Sequence, residues 1–212
     1  MPVRTRKPWT MSELFSAGSL GPYLLSLLPV VMLLALLAGY QRRHRKTRRL
    51  KKVLGAIAFD RIDGLIIPSA DVGEIQIDHL VLTSEGLLIL DIKDVRGSVF
   101  GSDKMQDWTV ISDNHRYTFA NPQHALYDRI AAVRQIVRQV PVTGRVLFLD
   151  DAEFTKGVPG LVSTLDSLLK EFAEKDRPVA KVKIKAFKPH WDIIRERAEI
   201  AQSGRRLRRK RL

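Results

Sequence analysis

The hydrophobic and polar positions follow three rhythms along the chain. The first is unbroken: Leu20 to Tyr40 reads LGPYLLSLLPVVMLLALLAGY, 21 residues without a charge. At about 1.5 Å rise per residue this stretch spans roughly 31 Å as a helix, close to the ~30 Å hydrocarbon core of a bilayer. Pro22 falls where a helix tolerates it, and Pro29 predicts a mid-span kink. A cleavable leader fits poorly, because LLAGYQRRH has no small-x-small site. Trp9 and Tyr40 stand near the two ends, as interfacial aromatics do.

The second rhythm is strand-like. Residues 41–59 first carry a basic helical stem into the apolar LGAIAF. Leu65 to Pro68 is a short apolar strand ending in a turn at Pro68-Ser69-Ala70-Asp71. Glu74 to Thr83 and Gly86 to Lys93 are two strands with a tight turn at Ser84-Glu85-Gly86. Ser98 to Gly101 is a further strand, and Trp108 to Ile111 with Tyr117 to Phe119 forms a hairpin.

The third rhythm has helical spacing. Asn121-Pro122 opens a helix, with Asn as N-cap and Pro at the first position. Its stripe is Leu126, Ile130, Val133, Ile136 and Val137. Arg145 to Leu149 is a buried strand, and Gly160 to Ala173 a helix. Val179 to Phe187 alternates apolar residues with Lys181, Lys183 and Lys185, which predicts an edge strand blunted by lysines. Trp191 to Ala201 is a last amphipathic helix. Strands alternating with helices place an α/β domain at 53–200, after a segment 1–18, a transmembrane helix 19–40 and a basic stem 41–52, and before a basic tail 201–212.

Charge changes this picture by its location. The 36 Lys plus Arg and 23 Asp plus Glu leave +13 overall. Residues 1–52 carry +10, residues 53–204 carry −3, and residues 205–212 carry +6. The middle of the chain is therefore slightly acidic. Three cations precede the apolar stretch (Arg4, Arg6, Lys7) and eight follow it between Arg42 and Lys52. The positive-inside rule then puts the C-terminal part in the cytoplasm and the protein, single-pass, in the inner (cytoplasmic) membrane. The same cluster is suited to a lipid bilayer with anionic headgroups. With no cysteine, disulfides, thiolate metal sites and cysteine nucleophiles are excluded. Five scattered histidines without an HxxxH pair argue against a zinc enzyme.

Candidate chemistry sits on the two central strands. Asp91 and Lys93 are two apart, so they share a face. The turn register sets Asp78 against Asp91 or Lys93 on that face. Asp78 and Asp91 could hold Mg²⁺ with mostly water as the remaining ligands, and Lys93 could orient or deprotonate a water or offset phosphoryl charge. The bland reading of the same residues is a solvated strand end with an ion pair. His79 faces the other side, as a packing histidine would.

Taken in order, Ile77-Asp78-His79, Gly86, Ile89-Leu90-Asp91-Ile92-Lys93, Gly97 with Gly101, Trp108 and Asn121-Pro122 resemble the nuclease-related domain (NERD) family over roughly residues 45–150. The resemblance implies a restriction-endonuclease-like mixed sheet flanked by helices, and kinship with PD-(D/E)-x-K nucleases. It implies Asp78 and Asp91 as metal-binding acids, Lys93 as catalytic lysine, Mg as cofactor, and DNA or RNA as substrate. Gln123 and Tyr127 form a Q-x-x-x-Y, which in related nucleases lies near the site. Two departures stand out: Asp91 is shorter than the usual Glu, and no carboxylate lies between Glu13 and Asp60, where the family carries a Gly-Glu. Glu74 is about 13 Å along the strand from Asp78 at ~3.3 Å per residue, too far for one ion. Two functions therefore remain: a membrane-anchored Mg-dependent nuclease, or a catalytically inactive membrane-tethered module that binds nucleic acid or protein.

Overall fold

The computed structural model describes residues 21–69, 73–113, 115–173 and 177–209. The expected extracytoplasmic segment 1–18 and Trp9 lie outside the described residues, as does Asp71 of the expected turn. The chain divides into two compact units, Met1–Thr47 and Arg48–Leu212. One helix, α1 (Gly21–Ile57), contributes to both. In the first unit its described side chains from Pro29 to Tyr40 are all exposed, and the Tyr40 ring meets that of His44 edge-on at 4.2 Å. Among the described residues no helix is long and apolar enough to cross a membrane. The opening of the expected span, residues 19–28, lies outside the described side chains.

The second unit is a mixed α/β structure. Its main sheet has the order β1-β2-β3-β7-β9, formed by β1 (Asp60–Ser69), β2 (Gly73–Thr83), β3 (Gly86–Lys93), β7 (Val142–Phe148) and β9 (Val162–Ser163). The first three strands are antiparallel, and β7 and β9 run parallel to β3. A second sheet, β6-β5-β4-β8, is built from β4 (Gly97–Phe100), β5 (Asp107–Ser112), β6 (His115–Ala120) and β8 (Ala152–Glu153).

Alternation on β3 assigns the layers, since neighbouring side chains point to opposite faces. Leu88 and Leu90 join Val53, Leu54 and Ile57 of α1, together with Leu165, Leu168 and Phe172 of α3 (Leu165–Phe172). Leu87 and Ile89 join Leu126, Ile130 and Val133 of α2 (Pro122–Ile136), and Trp191 and Ile194 of α4 (Arg177–Arg209). The end of α1 is thus core. Arg49, one of the stem cations, reaches Asp150 at 2.7 Å and Asp166 at 2.8 Å. Its guanidinium pKa is raised, first by the hydrogen bond to Asp166 and then by Asp150.

Asn121 caps α2 as its sequence position requires, accepting from the Gln123 backbone N–H at 3.0 Å. Its amide also donates to the Met105 carbonyl at 2.8 Å, binding the 101–106 loop to the helix start. Asn121→Ala is expected to cost about 1 kcal/mol for the cap alone, more with the loop bond lost. Urea denaturation checks this, and an unchanged midpoint would refute the capping role.

Two expected elements differ. The segment Val179–Phe187 is not an edge strand but the first half of α4. Its residues read equally as alternation or as the stripe Ala180, Ile184, Phe187, Trp191, Ile194 and Ala198, which packs inward at 3.6 periodicity. The helical stripe wins because the main sheet offers it a surface, where Ile184, Phe187, Trp191, Ile194 and Ala198 join the core. The helix expected at 160–173 starts only at Leu165, because Thr164 caps it reciprocally with Ser167 and the preceding residues form β9. The backbone of α4 runs to Arg209, and the side chains of the tail lie outside the described residues.

Candidate functional site

The polar end of β3 is where the candidate residues fall. Asp91 continues the face of Leu87 and Ile89, beneath α2, next to Val146 of β7 in register. It is only 4% exposed. A carboxylate at that depth must be paired or lose its charge. Each oxygen has its own cation: Lys93 Nζ lies 2.9 Å from Oδ1, and Arg129 donates to Oδ2 at 3.2 Å. Arg129 also donates through Nε to the Gln76 carbonyl at 2.8 Å, which fixes the guanidinium between β2 and β3.

Asp78 has a different setting. The β2–β3 ladder follows the expected register, with Thr83 opposite Gly86, and its last pair is His79 with Leu90. Beyond it the β1–β2 hairpin changes the face it turns inward. Ile62, Leu80 and Leu82 point to the core, and then Leu65, Ile67, Ile75 and Ile77 do. Even positions give way to odd ones at Gly64, which takes φ +68, and at Asp78 on the strand beside it. Glycine adopts that conformation without the steric cost a Cβ brings. Asp78 stands at the shift, exposed, with Oδ1 accepting from Gln76 Nε2 at 3.4 Å. His79 is half-buried, its Nδ1 2.7 Å from Asp63 across the strands.

Gln123 is 3% exposed, and its amide is used at both ends. Nε2 donates to Asp103 at 3.1 Å and Oε1 accepts from the Leu161 backbone N–H at 3.1 Å. Asp103 also accepts from the Gly160 N–H at 2.9 Å. Gln123 therefore ties two loops to α2, and its partners are not Asp91 or Lys93. Tyr127, the other half of the Q-x-x-x-Y, is exposed.

The residue that sequence reasoning left aside is Arg129. It lies on the α2 stripe, three after Leu126 and four before Val133, where an apolar residue is expected. A cation in that position, on a helix laid over a buried acid, is the signal that could have found it.

Two carboxylates with water can hold Mg²⁺. Here one of the two already shares both oxygens with ammonium and guanidinium groups, and the other is exposed beside Gln76. Among the described residues no group of three or more His, Asp or Glu is placed to hold a metal. As arranged, the residues do not fit Mg²⁺. The triad carries a net single positive charge and can lock β3 to α2 and β2.

Comparison with known proteins gives two findings. The model of the nuclease-related domain (NERD) family matches residues 38–149. An uncharacterized protein of Bacillus anthracis is 33% identical over 64 residues, a stretch that is 30% of this chain and 30% of that relative. The match thus spans under a third of the relative's length. No solved structure matches.

Proposed function

The chain belongs to the nuclease-related domain family, and on that premise we propose a single-pass, membrane-anchored module that binds its target without hydrolysing phosphodiesters. The observation that carries the second half is the triad: Asp91, buried, with one cation on each oxygen. Withdrawing Asp91 for a metal would strand Arg129 and Lys93 beside each other, at a cost the exposed Asp78 does not offset. The anchor is supported by the 21 uncharged residues from Leu20 to Tyr40 and by the exposed leucines of α1. An uncovered apolar run such as that from Pro29 to Tyr40 is abnormal in water. The cation excess after it supports a cytoplasmic domain in the inner membrane.

A second reading rests on its own observation. Lys93 Nζ lies 2.9 Å from Asp91 Oδ1 within a D-x-K pair, and a substrate phosphate that drew Arg129 away would free Oδ2 of Asp91. One experiment separates the two readings. The full chain, purified in detergent, is incubated with DNA and RNA in Mg²⁺ or Mn²⁺, beside Asp91→Ala and Lys93→Ala. We expect no cleavage attributable to the chain. Cleavage by the parent that both substitutions abolish establishes the nuclease reading instead. For the anchor, carbonate extraction is expected to leave the chain in the membrane pellet, and protease added to spheroplasts is expected to spare residues 48–212.

A further inference from the structure

We propose that the outer face of α4 rests on an anionic lipid surface. The proposal deepens the membrane-anchored reading by assigning lipid contact to a second element. The inner face of this helix is fully used in the core by Trp191, Ile194 and Ala198. On its other side Val179, Val182, Ala186, Pro189 and Ile193 recur at intervals of three and four, and all five are exposed. Val182 is 72% exposed. A helix that already buries one stripe has no packing reason to carry a second.

The flanks identify the partner. Lys181, Lys185 and Lys188 line one side of the outer stripe at i, i+4 and i+7. Lys183 lies on the other side, paired with Glu85 at 2.9 Å. From Arg177 to Trp191 there are five basic residues and no acidic one. The acids Asp192 and Glu196 come only afterwards on the Lys181 side, Asp192 meeting Lys188 at 3.5 Å, so the cationic part of the stripe ends at Lys188. An apolar centre with lysines along its edge is how a helix lies in a bilayer interface, the lysine stems following the apolar strip and the ammonium groups reaching the headgroups. A nucleic-acid face would instead centre on cations with aromatic stacking partners. Here the centre is Val, Ala and Pro, and the aromatic residues of this stretch, Phe187 and Trp191, point inward. As a helix, the segment also separates Lys183 from each of Lys181 and Lys185 by about 160° of arc, which dissolves the three-lysine row an edge strand would have offered.

The chain contains no cysteine, so a single probe site is unambiguous. Val182→Cys and, as a reference on β6, Tyr117→Cys would carry an environment-sensitive fluorophore in the full chain. Each would be placed in nanodiscs of brominated phosphatidylcholine with or without phosphatidylglycerol. Quenching at 182 is expected to exceed that at 117 by about twofold or more in the anionic discs. It should fall to the reference level in neutral discs and on changing Lys181, Lys185 and Lys188 to Glu. Equal quenching at the two positions, or no dependence on phosphatidylglycerol, overturns the proposal. A response at 182 to a single-stranded oligonucleotide and not to lipid overturns it in favour of a nucleic-acid face. Carbonate extraction reads the anchor alone. A chain that carbonate strips from the membrane refutes the anchor, and α4 is then tested by adding vesicles of the same lipids.

Discussion

Replacing Arg129 by alanine is expected to destabilise the domain by about 3 kcal/mol, because it leaves a buried carboxylate half-paired. Asp91 is 4% exposed, and Arg129 is the partner of its Oδ2. The loss includes the Nε bond to the Gln76 carbonyl, whose acceptor then lacks this donor. Lys93→Ala should cost less, about 1 kcal/mol, since Lys93 is a third exposed and Arg129 remains in place. The decisive comparison is the double variant Arg129→Met with Asp91→Leu. Removing both charges together should recover most of the loss, since a buried pair exchanged for apolar groups is often neutral. Urea denaturation of the parent, Arg129→Met, Asp91→Leu and the double variant measures the cycle, with Arg129→Ala and Lys93→Ala run beside it. If Arg129→Ala loses under 1 kcal/mol, or the double variant is worse than the sum of the singles, the triad is not a lock.

Trp108→Ala should cost about 4 kcal/mol, in the range for truncating a buried aromatic. The indole is fully buried and stands between the two sheets, with Phe119, Phe148 and Phe154 at centroid distances of 6.1, 6.2 and 6.3 Å. Its Nε1 donates to the Ser102 carbonyl at 3.1 Å, a bond that alanine also removes. Gly101 belongs to the same feature. A Cβ there would sit 2.3 Å from the indole Cδ2, so Gly101→Ala should cost 1–3 kcal/mol, roughly, through overpacking. The thermal midpoint would register both, and a Trp108→Ala protein as stable as the parent would remove the ring from the core.

This pair shows how the sequence motif and the structure are related. Gly97, Gly101 and Trp108 were legible as a family pattern, but what they do to one another was not. The glycine is there because the ring of a residue seven positions later occupies the space of its side chain. Asp78 shows the opposite case. The turn at Ser84-Glu85 fixed the register with β3 correctly. Register predicts a face only while a strand stays regular, and the hairpin changes its inward parity at Gly64 and Asp78. Asp78 is consequently exposed while Asp91 is buried. The apolar pattern carries the shift, Ile75 and Ile77 giving way to Leu80 and Leu82, but the glycine that accommodates it lies on the neighbouring strand.

The sequence by itself determined the pairing of β2 with β3, the capped helix at Asn121, the β7 strand and the separation of the charge into two basic ends around a near-neutral middle. These are local matters: a turn, a cap, a run of apolar residues and a count of charges each act within a few positions. Tertiary structure alone decided whether residues 179–187 became strand or helix, since both periodicities were present and only the surface of the main sheet selected the inward stripe. It also decided the partner of Asp91. Lys93 was visible two residues away, but Arg129 is 38 positions distant and meets the acid only because α2 crosses the same face of the sheet. A buried charge is settled by whatever the fold brings within reach of it, and that is a property of packing rather than of spacing.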